Sequence, residues 1–213
     1  MIDLISLAQH IKTEAGKKLP GITAHRNMLP EGRSMPDNYL QTISDYKQSA
    51  VFALLFEEGQ EHFLLLTQRH QYDGNHSGQI SFPGGKKDEE DKDLLGTAYR
   101  ETFEELGIRP EQIHFITTLS PLYIPVSNFL VQPYIGYLAE RPSLKIDERE
   151  VASVIKFPVK QLTDPEIVKR TKLEASSGFL LTVPAYHLDD KIIWGATAMV
   201  MNEIATLIKP LSV

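Results

Sequence analysis

The chain of 213 residues contains no cysteine. That excludes disulfides, thiolate metal sites and cysteine nucleophiles. No stretch reaches the ~20 apolar residues that a membrane-spanning helix needs. Positive charge is in deficit: 22 Lys and Arg stand against 28 Asp and Glu, for a net −6. This argues against general nucleic-acid binding, and an anionic substrate would need a local basic patch or a metal ion. The first residues, MIDLISLAQHIKTEAGKK, lack the signal-peptide pattern, because Asp3 interrupts them and their apolar residues are spaced amphipathically. Cytoplasmic residence and no membrane partner are the resulting expectations. No repeat, low-complexity tract or shift in composition marks a second domain.

What is present is ordinary for a globular protein: 42% apolar and 23% charged residues, in a chain long enough to bury a substantial core. Leu4, Ile5, Ala8 and Ile11 recur at helical spacing and predict a helix over residues 3–15. Residues 19–48 are rich in proline, glycine and polar side chains and read as a long irregular arm. SAVFALLF (49–56) and HFLLLTQ (62–68) read as two strands joined by a hairpin at EEGQE. Residues 70–85 read as loop, with Gly74, Gly78, Pro83, Gly84 and Gly85. A helix is expected over 92–107, closed at Gly107. Strands are expected at 113–119, 131–139, 151–157, 179–183 and 191–194, and a last helix over 195–208, before Pro210. Mixed strands with three helices predict an α/β or α+β sandwich.

The helix at 92–107 raises a question. RETFEELGI (100–108) concentrates Glu101, Glu104 and Glu105 at spacings where like charges repel. On a wheel of about 100° per residue, Leu95, Ala98, Thr102 and Leu106 form one stripe, with Tyr99 and Phe103 flanking it. The three glutamates fall on the far side within roughly 100°, and Arg100 lies near Glu104. A charged face is ordinarily just solvated. Here, however, the acids repel one another and follow SFPGGKKDEED, whose Gly pair permits close backbone approach. Hard divalent cations favour carboxylate and carbonyl oxygens, so these glutamates and a carbonyl of the Gly loop would suit Mg²⁺ or Mn²⁺. The 12-residue loop of the common calcium site is missing, which sets aside a calcium-binding structural protein.

Gly85, Asp91 and R-E-x-x-E-E-x-G at 100–107 resemble the Nudix box, G-x5-E-x7-R-E-U-x-E-E-x-G-U. Three departures stand out: one extra residue between Gly85 and Arg100, Asp91 in place of a Glu, and Thr102 in place of an aliphatic residue. The first two are features of the coenzyme A diphosphatase branch. That branch also carries an upstream motif, L-L-T-x-R-S-x-x-L-x-x-H-x-G-x-x-x-F-P-G-G, which LLTQRHQYDGNHSGQISFPGG (65–85) resembles through Thr67, Arg69, His76, Gly78, Phe82, Pro83, Gly84 and Gly85. His70 replaces the Ser and Asp73 the Leu. IIWGATAMV (192–200) is similar to the same branch. The resemblance spans about residues 48–206.

The resemblance implies a Nudix-type α/β/α sandwich with a mixed β-sheet. Residues 48–213 would form the hydrolase domain, and residues 1–47 a helix and arm packed on it. It implies hydrolysis of coenzyme A or acyl-CoA to 3′,5′-ADP and a phosphopantetheine, so a CoA-like nucleotide is the expected small-molecule partner. By resemblance, Glu101, Glu104 and Glu105 bind Mg²⁺ or Mn²⁺ with the Gly85 carbonyl, and Arg100 holds the helix carboxylates in place. The general base is either Glu101 or an acid outside the box, for which IDEREVASV offers Glu150. Arg69 is the anion contact, since a guanidinium suits phosphate geometry. His76, Gly84 and Lys86 complete the expected substrate loop, His76 ordering it by hydrogen bonding and Lys86 as an exposed lysine. Trp194 and Phe82 are expected in the core. Other nucleoside diphosphate derivatives, ADP-ribose or NADH, and a non-catalytic Nudix-like binding module are the alternatives. The arm at 19–48 either caps the site or builds a homodimer interface.

Overall fold

The computed structural model describes residues 2–70, 78–174 and 180–211. In chain order the helices and strands are α1 (Leu4–Lys17), α2 (Gly21–Arg26), β1 (Lys47–Glu58), β2 (Glu61–Arg69), β3 (Ile80–Ser81), β4 (Gly84–Lys86), α3 (Leu94–Leu106), β5 (Ile113–Thr118), β6 (Leu122–Ile124), β7 (Phe129–Leu138), β8 (Val151–Pro158), β9 (Val168–Glu174), β10 (Leu180–Leu188), β11 (Lys191–Ile193) and α4 (Gly195–Ile208). No helix among the described residues is long and apolar enough to cross a membrane.

The central strand is β1. Its apolar run is buried on both faces, as a covered sheet requires. Alternate side chains then serve two cores. Phe52, Leu54 and Phe56 pack towards Ala98 and Leu106 of α3. Ala53 and Leu55 pack with Leu4, Leu7 and Ile11 of α1 and Ile204 of α4. The result is an α/β/α sandwich around a mixed sheet ordered β3-β2-β1-β7-β5, with β4, β6 and β8 pairing alongside. β1 runs parallel to β7 and antiparallel to β2 and β4. A smaller sheet, β11-β10-β9, lies beside it.

The structure departs from the sequence expectations in five places. The arm at 19–48 contains α2, a helix too short to show a periodicity. The loop at 70–85 contains β3 and β4, short strands defined by their pairing with β2 and β1. β6 pairs with β7 where no strand was expected. β9 is the polar segment VKRTKLE, an edge strand whose charges discourage further pairing. β10 continues through Pro184 to Leu188, with the register unbroken from Val183 opposite Thr171 to Pro184 opposite Arg170 and Ala185 opposite Lys169, although proline cannot donate to a ladder. Phe82 is buried, as expected, and Trp194 is half-buried at the start of α4.

Candidate active site

The site forms where α3 packs on β4 and the end of β2. In β4, Gly84 stands opposite Val51 and Gly85 opposite Ala50. A Cβ on Gly84 would lie 2.2 Å from the Ala50 carbonyl oxygen, and Gly84 has φ +148°, a conformation open to glycine. A Cβ on Gly85 would lie 2.4 Å from Cδ of Glu101. Gly84 therefore admits the neighbouring backbone, and Gly85 admits the glutamate.

α3 begins at Asp93, whose side chain accepts from the Gly96 N–H, and ends at Gly107 in the left-handed conformation (φ 71°). Its acids differ in environment more than the wheel implies. Glu104 is 55% exposed. Glu101 is half-buried, and burial raises its pKa, opposed by Arg100 and reinforced by Glu104 and Glu150. Glu105 is only 5% exposed, and its Oε2 is buried with no hydrogen-bond partner. Burial pushes its pKa up to about 8; Arg69 and the Gly84 N–H pull it down, while Glu101 and Glu150 push it further up. Phe103, which the wheel sets beside the apolar stripe, is 49% exposed. The wheel sees only the main core, whereas β4 covers part of the carboxylate side.

Arg100 lies among these acids. Its Nε donates to Asp91 Oδ1 and its Nη2 to Asp91 Oδ2, both at 2.9 Å. Nη1 donates to Glu101 Oε1 at 2.9 Å and Glu104 Oε2 at 3.0 Å, and Nη2 also reaches the Lys86 carbonyl at 3.1 Å. The Arg100 hydrogen bonds hold the Asp91 carboxyl well below the usual range, with help from the Asp88 and Thr97 hydrogen bonds. The Lys86 side chain is exposed. His76 and Asp73 lie outside the described residues.

Arg69 ends β2, at an irregularity in the β2–β8 ladder. Its Nε is buried and has no hydrogen-bond partner. Glu150 is exposed, in the turn before β8. That turn hangs on the end of α3, because the Asp147 N–H donates to the Glu105 carbonyl at 3.0 Å and the Lys145 N–H to the Leu106 carbonyl at 2.9 Å. Glu101, Glu105, Gly84, Gly85, Arg69 and Glu150 are thus brought to one region. Sequence reasoning noted Asp91 only as a departure and did not find it as the partner of Arg100. It assigned no role to His70, whose Nε2 lies 2.8 Å from the Glu148 carbonyl oxygen. No local pattern signals a contact between residues so distant in the chain.

Among the described residues, no three His, Asp or Glu side chains are gathered as a metal-ligand cluster; Arg100 holds Glu101 and Glu104 instead. The donor set nonetheless fits a hard divalent cation. It consists of oxygen donors, and one carboxylate oxygen is buried without a partner.

Fold and site together define an α/β/α protein with an acidic, oxygen-donor site at a Gly-Gly strand. The NUDIX domain model matches residues 46–176. The chain belongs to the Nudix family, as a Nudix hydrolase. It is 33% identical over 143 residues to the Nudix hydrolase NudL of Photorhabdus laumondii, covering 67% of this chain and 75% of that one. It is 34% identical over 138 residues to the human mitochondrial coenzyme A diphosphatase NUDT8, covering 64% of this chain and 58% of that protein. Nudix hydrolase 15, mitochondrial, of Arabidopsis thaliana is 30% identical over 199 residues, covering 91% and 67%. Among solved structures, the Nudix hydrolase RenU of M. smegmatis shares the fold with a TM-score of 0.54 at 16% identity, covering 86% of this chain and 94% of that one.

Proposed function

We propose that the protein is a divalent-metal-dependent hydrolase of the pyrophosphate in coenzyme A or acyl-CoA, releasing 3′,5′-ADP and a 4′-phosphopantetheine. The observation that carries this reading is a pair of buried polar atoms without hydrogen-bond partners at one place: Arg69 Nε at the end of the LLTQR strand and Glu105 Oε2 against the Gly-Gly strand. The first suits a phosphate oxygen and the second a cation. The similarity to NUDT8, named a coenzyme A diphosphatase, supports CoA as the substrate.

Glu101 and Glu105, with Glu104 and the Gly85 carbonyl, would hold Mg²⁺ or Mn²⁺. Such an ion supplies positive charge to the pyrophosphate and lowers the pKa of water. The chain's own residues do the rest. Arg69 binds and orients the phosphate; a charge-assisted contact of this kind is worth roughly 1.5–3 kcal/mol. Arg100, fixed by Asp91, keeps Glu101 and Glu104 in register. Glu150, exposed to solvent yet electrostatically coupled to Glu101 and Glu105, takes the proton from the attacking water. That water adds to one phosphorus, and the bridging oxygen leaves with the other phosphate.

Purified protein incubated with Mg²⁺ or Mn²⁺ and CoA, acyl-CoA, ADP-ribose, NADH or a dNTP tests the proposal, with products identified by mass. The expected products are 3′,5′-ADP and phosphopantetheine, formed fastest from a CoA compound. Preference for ADP-ribose rejects the substrate, and ligand binding without turnover of any compound rejects the enzyme in favour of a binding module.

A further inference from the structure

His70 directly follows Arg69, and its ring is exposed. Its Nε2 lies 2.8 Å from the carbonyl oxygen of Glu148, 78 residues away in sequence. A carbonyl only accepts, so Nε2 carries the hydrogen whether the ring is neutral or protonated. The contact joins the end of β2 to the turn that presents Glu150. On its other side that turn is fixed to α3 through the Glu105 and Leu106 carbonyls, and it closes on itself through the Glu150 and Val151 N–H groups, which donate to the Asp147 carbonyl at 3.1 and 3.0 Å. His70 therefore adds a side-chain tie between the end of β2 and this turn, beside the ladder pairing of Arg69 with Val151 and the bonds within the turn from Arg149 to the Asp147 carboxylate.

We propose that His70 is a positioning residue. It fastens residues 147–150 to β2, and so fixes where the Glu150 carboxylate stands relative to Glu101, Glu105 and the phosphate contact of Arg69. This role rests on the reading of Glu150 as the base. It predicts an effect on turnover rather than on substrate binding, because His70 touches the main chain of the turn and Arg69 keeps its own place.

Two measurements test it. The first is amide hydrogen exchange in the metal-free protein, read by NMR. Loss of one hydrogen bond is worth about 1 kcal/mol, so His70→Ala should speed exchange at Glu150 and Val151 by roughly five- to tenfold. His70→Gln, whose amide also donates, should restore slow exchange. The second is steady-state hydrolysis of CoA with Mg²⁺. His70→Ala should lower kcat by about tenfold and leave KM within about twofold, with recovery in His70→Gln. In a Glu150→Gln background, His70→Ala should cost nothing further. Unchanged exchange in His70→Ala overturns the tie, and an equal fall in kcat in both backgrounds overturns its link to Glu150. If the wild type hydrolyses no pyrophosphate compound, the functional reading falls, and the exchange experiment alone still decides whether His70 holds the turn.

Discussion

Glu105 is a carboxylate in a place that suits the neutral acid, and its pKa near 8 follows mainly from burial. Its folded pKa lies above its unfolded one, so the unfolded chain releases the proton first. The stability it contributes is fully present below the unfolded value of 4.5 and is lost as pH rises through about 8. In metal-free protein, Glu105→Gln should therefore melt close to wild type at pH 5 and above it at pH 8.5. Thermal melts of both proteins across this range check the sign, and a constant difference would contradict it. With Mg²⁺ the order should reverse, since the amide carries no charge for a cation, and turnover should fall by up to about 10³-fold. The two glycines separate fold from function. Gly84→Ala drives a Cβ into the Ala50 carbonyl at an adverse φ and should destabilise the fold by several kcal/mol. On Gly85→Ala the nearest atoms to the new Cβ are those of the Glu101 carboxylate, the end of a side chain that can swing away by giving up its Arg100 contact. It should therefore melt within a few degrees of wild type while losing most of its metal-dependent activity. Equal destabilisation of the two variants would count against this division.

At the level of elements, α3 was legible because its signals are local: an apolar stripe and a C-terminal glycine; its N-cap, Asp93, falls inside the expected span and marks where the helix starts. The central strands were legible from continuous apolar runs. β4 was not, because a Gly-Gly-Lys segment carries no pattern of its own and becomes a strand only against β1. The burial of Glu105 was hidden for the same reason, since what covers it comes from β4 rather than from the helix. The β4–α3 connection shows how a departure from a motif is absorbed. One extra residue in the connection accompanies Asp91, which is shorter than Glu by one methylene, and Asp91 still grips Arg100 with both oxygens. It also accepts from the Asp88 N–H at 2.8 Å and the Thr97 hydroxyl at 2.9 Å. Asp91→Ala would leave Arg100 to its contacts with Glu101, Glu104 and the Lys86 carbonyl. The expected result is a loss of roughly 2–4 kcal/mol in urea unfolding and a weaker affinity for Mg²⁺ in titration. Undiminished Mg²⁺ affinity would show that Arg100 does not depend on Asp91 for its placement.

For the molecule as a whole, the open question is what keeps a polar N-terminal arm on the domain. Sequence pattern did not reveal the answer, because the tie is one buried carboxylate and its partners come from distant segments. Glu203 in α4 is fully buried. It accepts from the Ser120 hydroxyl at 2.7 Å, the Ser120 N–H at 3.2 Å and the Gly21 N–H at 3.3 Å, and it faces His25 Nε2 at 3.0 Å. Asn202, its neighbour, donates to the Ala24 carbonyl at 2.7 Å, and further along the arm the Glu31 N–H donates to the Thr182 carbonyl at 2.9 Å. Residues 21–31 are thus fastened to α4, the segment after β5, and β10, on the sheet face opposite α3. Gly21 adopts φ +48° there, and a Cβ would lie 2.8 Å from the Ser120 hydroxyl oxygen. Removing a buried carboxylate strands its donors, a loss of roughly 3–5 kcal/mol for a buried pair. Glu203→Ala should accordingly lower urea stability by that amount and expose the arm to proteolysis. At temperatures where the variant is folded, its kcat/KM should stay within about twofold of wild type, because the network and the acidic site lie on opposite faces of the sheet. Full stability in the variant would mean that the arm is held by apolar contacts such as those of Met28, and that the Glu203 network is incidental to its docking.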